Sequence, residues 1–139
     1  MFSKACEYAI KTMIYVATNE KKGRRTGLKE VTNAIDSPEA FTAKILQQLA
    51  KGGLLESHRG PGGGFLLAER KILLHDVVKT IDGDSLMNAC VLGLKECSGS
   101  NPCPVHEDFL PIRNQISEVL LATDIRDEKL LSGNHILKI

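Results

Sequence analysis

Three cysteines and a histidine lie close together in the second half of the chain, at Cys90, Cys97, Cys103 and His106. Six residues separate the first pair, five the second, and two separate Cys103 from His106. Thiolate and imidazole are donors for soft or borderline metals. Zinc sites usually pair ligands two to four residues apart, so that one turn grips one ion. The gaps here are wider and suit a flexible loop around a larger object, such as an iron–sulfur cluster. An imidazole as fourth ligand would suit a 2Fe–2S centre and raise its potential. His106 reads equally as a surface or helix-capping histidine, and a fourth ligand from another residue or another subunit stays open. In a reducing compartment, clustered thiols point to metal or redox chemistry rather than a disulfide framework. Cys6 lies on an apolar helical stripe and reads as a small core residue.

A second kind of chemistry is carried by Ser37 to Ala68. Ser37 reads as an N-cap and Pro38 as the first helical residue, with Glu39 favoured by the helix dipole. Phe41, Ile45, Leu46, Leu49 and Ala50 recur at helical spacing. Thr42, Lys44, Gln47, Gln48 and Lys51 then form an outer face with the donors and acceptors that read DNA: Gln pairs with adenine, and Lys reaches phosphate or guanine. Phe41 could pack on a thymine methyl, and the backbone at Asp36-Ser37 could donate to a phosphate. Gly52 and Gly53 stop the helix. Leu54–His58 and Phe65–Ala68 read as two strands joined by Arg59-Gly60-Pro61-Gly62-Gly63-Gly64. A backbone bare of side chains at Gly62 and Gly63, beside His58 and Arg59, can lie close to a phosphate backbone or a minor groove. An ordinary surface helix followed by a glycine-rich hairpin remains the plainer alternative. The run is neither a Walker loop, which needs Gly-Lys-Ser/Thr, nor a dinucleotide fingerprint, whose third glycine would fall at Phe65.

The elements that must position these groups follow from periodicity. Ser3–Thr18 reads as a helix with Cys6, Ile10, Met13, Ile14 and Ala17 on one stripe. A charged loop and a short strand at Thr26 come next, then a helix over Lys29–Ile35. Two helices joined by a tight turn and followed by a hairpin make a winged helix-turn-helix. Leu74–Ile81 is a further helix. Ser85–Cys103 has no clear period, and a stretch of that length inside a compact chain usually has a function. After Pro111 a helix resumes, with Pro104–Leu110 as a separate turn. Val105, Phe109, Ile112, Ile116 and Val119 form a heptad seam that favours a partner helix, with an intramolecular core helix as the lesser alternative. Beyond Ala122 the pattern fades, and Ile125–Ile139 reads as partly disordered.

The 139 residues are 42% hydrophobic with six aromatics and no Trp, so the core is aliphatic. No run approaches the ~18 apolar residues of a membrane span, and a soluble cytoplasmic protein is expected. The net charge of +1 is unremarkable, but residues 1–70 hold eleven Lys/Arg against seven Asp/Glu, and residues 71–139 seven against ten. The basic half is the half with the outward Lys/Gln helix, as attraction to phosphate requires. No Cys-x-x-Cys pair, nucleophile–base arrangement or phosphate loop is present, so an enzyme is not expected.

Residues 1–123 resemble the Rrf-type winged-helix regulators of bacteria, whose members include IscR-, NsrR- and CymR-like proteins. The resemblance rests on Ser3-Lys4-Ala5-Cys6-Glu7-Tyr8-Ala9, Ile45-Leu46-Gln47-Gln48-Leu49, Arg59-Gly60-Pro61-Gly62-Gly63-Gly64-Phe65, Asp76-Val77-Val78 and the three-cysteine loop. It implies a mainly α fold with a small β-hairpin. It implies a winged helix-turn-helix DNA-binding domain over 1–84, a cluster-binding loop over 85–104 and a dimerisation helix with C-terminal tail over 105–139. It implies a homodimer on a palindromic double-stranded operator. It also implies that Cys90, Cys97 and Cys103 hold an iron–sulfur cluster, 2Fe–2S in preference to 4Fe–4S, with His106 as the histidine ligand. The six-residue first gap departs from the five of the His-ligated type. In the 4Fe–4S type an acidic ligand comes from near the partner's N-terminus, where this chain offers Glu7. Cluster-free DNA binding, with the cysteines as a zinc site or thiol switch, is the rival expectation.

Overall fold

The computed structural model describes residues 1–132, and the expectation for the last seven residues lies outside them. The helices are α1 (Lys4–Lys21), α2 (Leu28–Ile35), α3 (Glu39–Lys51), α4 (Leu74–Asp82), α5 (Ser85–Asn88), α6 (His106–Ala122) and α7 (Glu128–Leu131), and the strands β1 (Leu55–His58) and β2 (Gly64–Leu67) lie between α3 and α4. The chain is thus mainly helical with one small hairpin, as expected.

Ser3 starts α1 as its N-cap, accepting from the Cys6 N–H at 3.0 Å. That satisfies one of the donors a helix start leaves without a partner. Cys6, Ala9, Met13, Val16 and Ala17 bury one face of α1 against α2, α3 and α4. α2 and α3 are joined through Asp36, whose φ of 52° makes the tight corner. β1 and β2 are antiparallel, with Leu55 opposite Leu67 and His58 opposite Gly64. Thr26 adds a bridge to Phe65, so the wing gains a third strand position from the loop after α1.

Three sequence expectations are corrected. Ser37 is not the N-cap of α3: that place is Pro38, the helix starts at Glu39, and the Ser37 side chain is buried. α6 begins at His106 and runs through Pro111, so Pro104–Leu110 is no separate turn. The N–H that proline lacks would have met the Glu107 carbonyl, and both residues are exposed, so water can serve that oxygen. Where the pattern fades after Ala122, residues 123–132 take a defined path, and the rest of that expectation lies outside the described residues. Leu74 N–H donates to Thr123 O at 2.9 Å and Ile125 N–H to Ile72 O at 2.8 Å, which seats Ile125 in the core. Arg126 then donates to the carbonyls of Ala68 and Arg70 at 3.1 and 2.9 Å. An isolated Ile125 carries no helical period, so only its long-range partners give it a place. Finally, α6 is no core helix: Ile112 is 50% and Val119 62% exposed, and Leu120 alone is buried.

Candidate functional site

The outward face of α3 presents Lys44, Gln47, Gln48 and Lys51, all exposed. Ile45, Leu46 and Leu49 fasten the opposite face to the core, which fixes the direction in which the four polar side chains project. No hydrogen bond or ion pair within the described residues engages any of the four. Thr42 was expected on that face and is instead fully buried. Its hydroxyl donates to Pro38 O at 2.9 Å and pairs with the Ser37 hydroxyl. Neither Ser37 nor Thr42 can offer its side chain to a partner; together they shape the corner between α2 and α3. Phe41 is half-buried and meets Tyr8 edge-on, which makes it a packing residue of the helix rather than a free base contact.

The wing tip, Arg59 to Gly62, is exposed. Gly62 has φ 73° with open space around it. Gly63 and Gly64 have a different reason for being glycine. A Cβ on Gly63 would run into the carbonyl oxygens of His58 and Gly60, and one on Gly64 into that of Thr26 at 2.8 Å. Their bareness serves the hairpin itself and is no sign of a close approach to an outside surface. His58 is half-buried, with Nε2 3.8 Å from the Glu56 carboxylate and without a hydrogen-bond partner among the described residues.

Arg25 was missed by the sequence reading. It is exposed and its Nη1 donates to Gly62 O at 3.2 Å, which puts a guanidinium beside the wing tip. The Arg24-Arg25 pair was the available signal, but its proximity to residue 62 is a tertiary fact. Arg24 is held by Glu30 at 2.6 Å and Asn19 at 2.9 Å, and Tyr15 also donates to Glu30. Burial works against the Glu30 charge, but hydrogen bonds from Arg24 and the Gly27 N–H hold its carboxyl below the usual range.

At the far end of the molecule the loop after α5 folds back on the start of α6. The sulfurs of Cys90, Cys97 and Cys103 lie within 4.8 Å of one another, all half-buried. Cys90 and Cys103 are 3.6 Å apart, and the Cys103 N–H donates to Cys97 Sγ at 3.4 Å. The N–H of Leu94, helped by that of Leu92, brings the Cys90 thiol down to about 7. Desolvation pushes Cys103 up. Three converging thiols, one readily ionised, fit a soft metal or an iron–sulfur cluster as a donor set. His106 does not join that mutual group: its Nδ1 contacts Cys97 alone of the three, at 3.2 Å. Glu7 pairs with Lys4 at 3.0 Å. Cys6 is separate, sealed under α1 with Val78 and Leu120; burial and the nearby Asp82 push its thiol up to about 12. It is the inert core cysteine expected of its stripe.

Comparison with known proteins agrees with this arrangement. The profile of the Rrf2 family, described as iron-dependent transcriptional regulator, matches residues 2–127. A candidate helix-turn-helix transcriptional regulator of Aquifex aeolicus is 29% identical over 143 residues, covering 100% of this chain and 98% of that one. The HTH-type transcriptional regulator IscR of Pectobacterium atrosepticum is 25% identical over 134 residues, 95% of this chain and 79% of its own. Among solved structures, CymR (YrzC), the global cysteine regulator of B. subtilis, superposes with a TM-score of 0.77 at 25% identity, covering 95% of this chain and 96% of that one.

Proposed function

This chain belongs to the Rrf2 family of DNA-binding transcription regulators, and from that premise we propose that it is a homodimer binding a palindromic operator under the control of an iron–sulfur cluster held by Cys90, Cys97 and Cys103. The observation that carries the reading is the convergence of those three thiols, within 4.8 Å of one another, on the helix that leaves its apolar seam uncovered.

Lys44, Gln47 and Gln48 are the proposed base and phosphate contacts, with Arg59, Gly62 and Arg25 at the wing. Ser37, Thr42, Phe41 and Gly63 support those contacts from within. Ile112, Ile116 and Val119 of α6 would meet their twofold copies, burying the apolar surface that the chain leaves exposed. A cluster, when bound, would supply reducible iron whose ligands can be exchanged, 2Fe–2S in preference to 4Fe–4S. The loop residues would hold that group, and α6 joins the loop to the strap at Thr123–Arg126 that is hydrogen-bonded to the base of the wing. A change in the order of the loop would thereby reach the spacing of the two α3 helices, which must match half-sites about 34 Å apart.

The test is anaerobic preparation of the full chain. A coloured protein with visible absorption and bound iron and sulfide is expected, and Cys97→Ala should lose all three while remaining folded. Colourless protein carrying stoichiometric zinc would reject the cluster. The 3.6 Å separation of Cys90 and Cys103 supports a second reading, a thiol switch. A peroxide would take two electrons and two protons from the pair, joining the sulfurs and leaving water. A non-reduced mass lower by two hydrogens, with altered operator affinity, would favour it.

A further inference from the structure

His106 and Arg113 lie seven residues apart on α6, which places them on one face two turns from each other. Each holds a different part of the cysteine loop, His106 its middle and Arg113 its start. His106 contacts the Cys97 sulfur, and Arg113 Nη1 donates to the carbonyl of Ala89 at 2.6 Å, across 24 residues of chain. Ala89 directly precedes Cys90. Arg113 is half-buried, and its Nε is screened from solvent with no partner of its own among the described residues. The guanidinium finds its acceptor through Nη1 at the Ala89 carbonyl. A carbonyl at the mouth of a thiol site is a specific one.

We infer that Arg113 is the positioning residue of the metal-binding loop: it pins the Ala89 carbonyl to α6 and so fixes the direction in which Cys90 faces Cys97 and Cys103. The inference rests on the reading that these cysteines bind a metal. Its physical basis is preorganisation. The residues between α5 and α6 have no regular structure beyond short turns and an isolated Ser98–Asn101 bridge, so their path depends on a few anchors, of which the Arg113 contact is the one that ties Ala89 to α6. Without the Arg113 contact, the segment carrying Cys90 would keep its tie to α5, through the Ala89 N–H on Ser85 O at 2.8 Å, but lose its tie to α6. The remaining thiols would then have to recruit it at the expense of conformational entropy. Groups that orient metal ligands from outside the ligand set typically alter affinity by about 10–100-fold.

The experiment uses the reduced, metal-free full chain of the wild type, R113Q and R113K, each checked by far-UV circular dichroism. Cobalt(II) is titrated and followed by its thiolate charge-transfer absorption. In parallel, the metal-free proteins are alkylated with iodoacetamide and the modification of each cysteine is read by mass spectrometry. R113Q should bind cobalt(II) about tenfold more weakly or worse. Its Cys90 alkylation relative to Cys103 should change while Cys6 stays protected, and R113K should recover part of both effects. Wild-type cobalt affinity together with an unchanged alkylation pattern in R113Q would overturn the assignment. Wild-type protein without thiolate–cobalt absorption would overturn the metal reading instead, and the alkylation comparison would still decide the role of Arg113. Should R113Q fail to fold, NMR of the wild type decides: slowly exchanging Arg113 Nη protons are expected, and a freely rotating guanidinium would overturn the inference.

Discussion

Tyr8 of α1 and Phe41 of α3 meet edge to face, with ring centroids 5.6 Å apart and planes at 77°. The contact ties the helix that carries Lys44, Gln47 and Gln48 to the helix that forms the floor of the core. Edge-to-face pairs contribute about 0.5–1.5 kcal/mol beyond the area they bury.

Phe41→Ala should therefore cost about 2–3 kcal/mol of stability, below the full range for a buried phenylalanine because the ring is only half-buried. Operator affinity should fall without a change in base preference, and Phe41→Leu should restore most of both. Urea melts alongside mobility shifts on operator variants check this. A selective loss at one thymine with unchanged stability would return Phe41 to the role of a base contact.

Lys44→Ala and Gln47→Ala should each weaken operator binding by about 1–3 kcal/mol if they reach base edges. If Lys44 meets phosphate instead, its loss should be uniform across sequences and should lower the salt slope by about one. Anisotropy titrations over a salt series separate the two. Because neither side chain has a hydrogen-bond or ion-pair partner among the described residues, stability should hardly move.

Gly63→Ala places a methyl where the His58 and Gly60 carbonyls already stand, so the hairpin must open. Gly62→Ala meets no atom but forces a left-handed residue, at about 1–2 kcal/mol. Faster amide exchange across β1 and β2 is expected for Gly63→Ala, with a larger loss of DNA affinity than for Gly62→Ala. Equal effects of the two would show that the tip rather than the hairpin geometry matters.

Ile112 and Val119 are exposed on the α6 seam. Ile112→Glu combined with Val119→Glu should give a folded monomer in sedimentation velocity, with operator binding lost. A dimer that survives both charges would place the interface elsewhere.

Glu30 ties Arg24, Asn19 and Tyr15 to the start of α2. Its folded-state pKa lies below the ordinary 4.5, so its contribution to stability is present above that value and is lost as pH falls through the lowered one. Glu30→Gln should flatten the acid limb of the thermal-melting profile while leaving its shape near neutrality unchanged. An identical acid limb in the variant would contradict the network's role.

Apolar spacing was enough to place α1, α2, α3 and α4 to within a few residues, because each buries a single stripe whose period is written into neighbouring positions. The glycine run announced a hairpin for the same local reason, and the three cysteines and their order announced a soft-donor site. Other features were not legible. That Thr42 turns inward depends on a hydroxyl partner at Ser37 and a carbonyl at Pro38. That Gly63 and Gly64 are bare for the sake of His58 and Thr26 depends on chain crossings within the wing. Arg25 reaches the wing tip, Ile125 reaches the core and Arg113 reaches Ala89 across 37, 53 and 24 residues respectively. A residue's type and its near neighbours determine which element it joins and which chemistry it can offer. Which polar group faces a partner, and which is already satisfied inside the chain, was decided only by contacts between distant segments, because hydrogen bonding and burial depend on distance in space rather than along the chain.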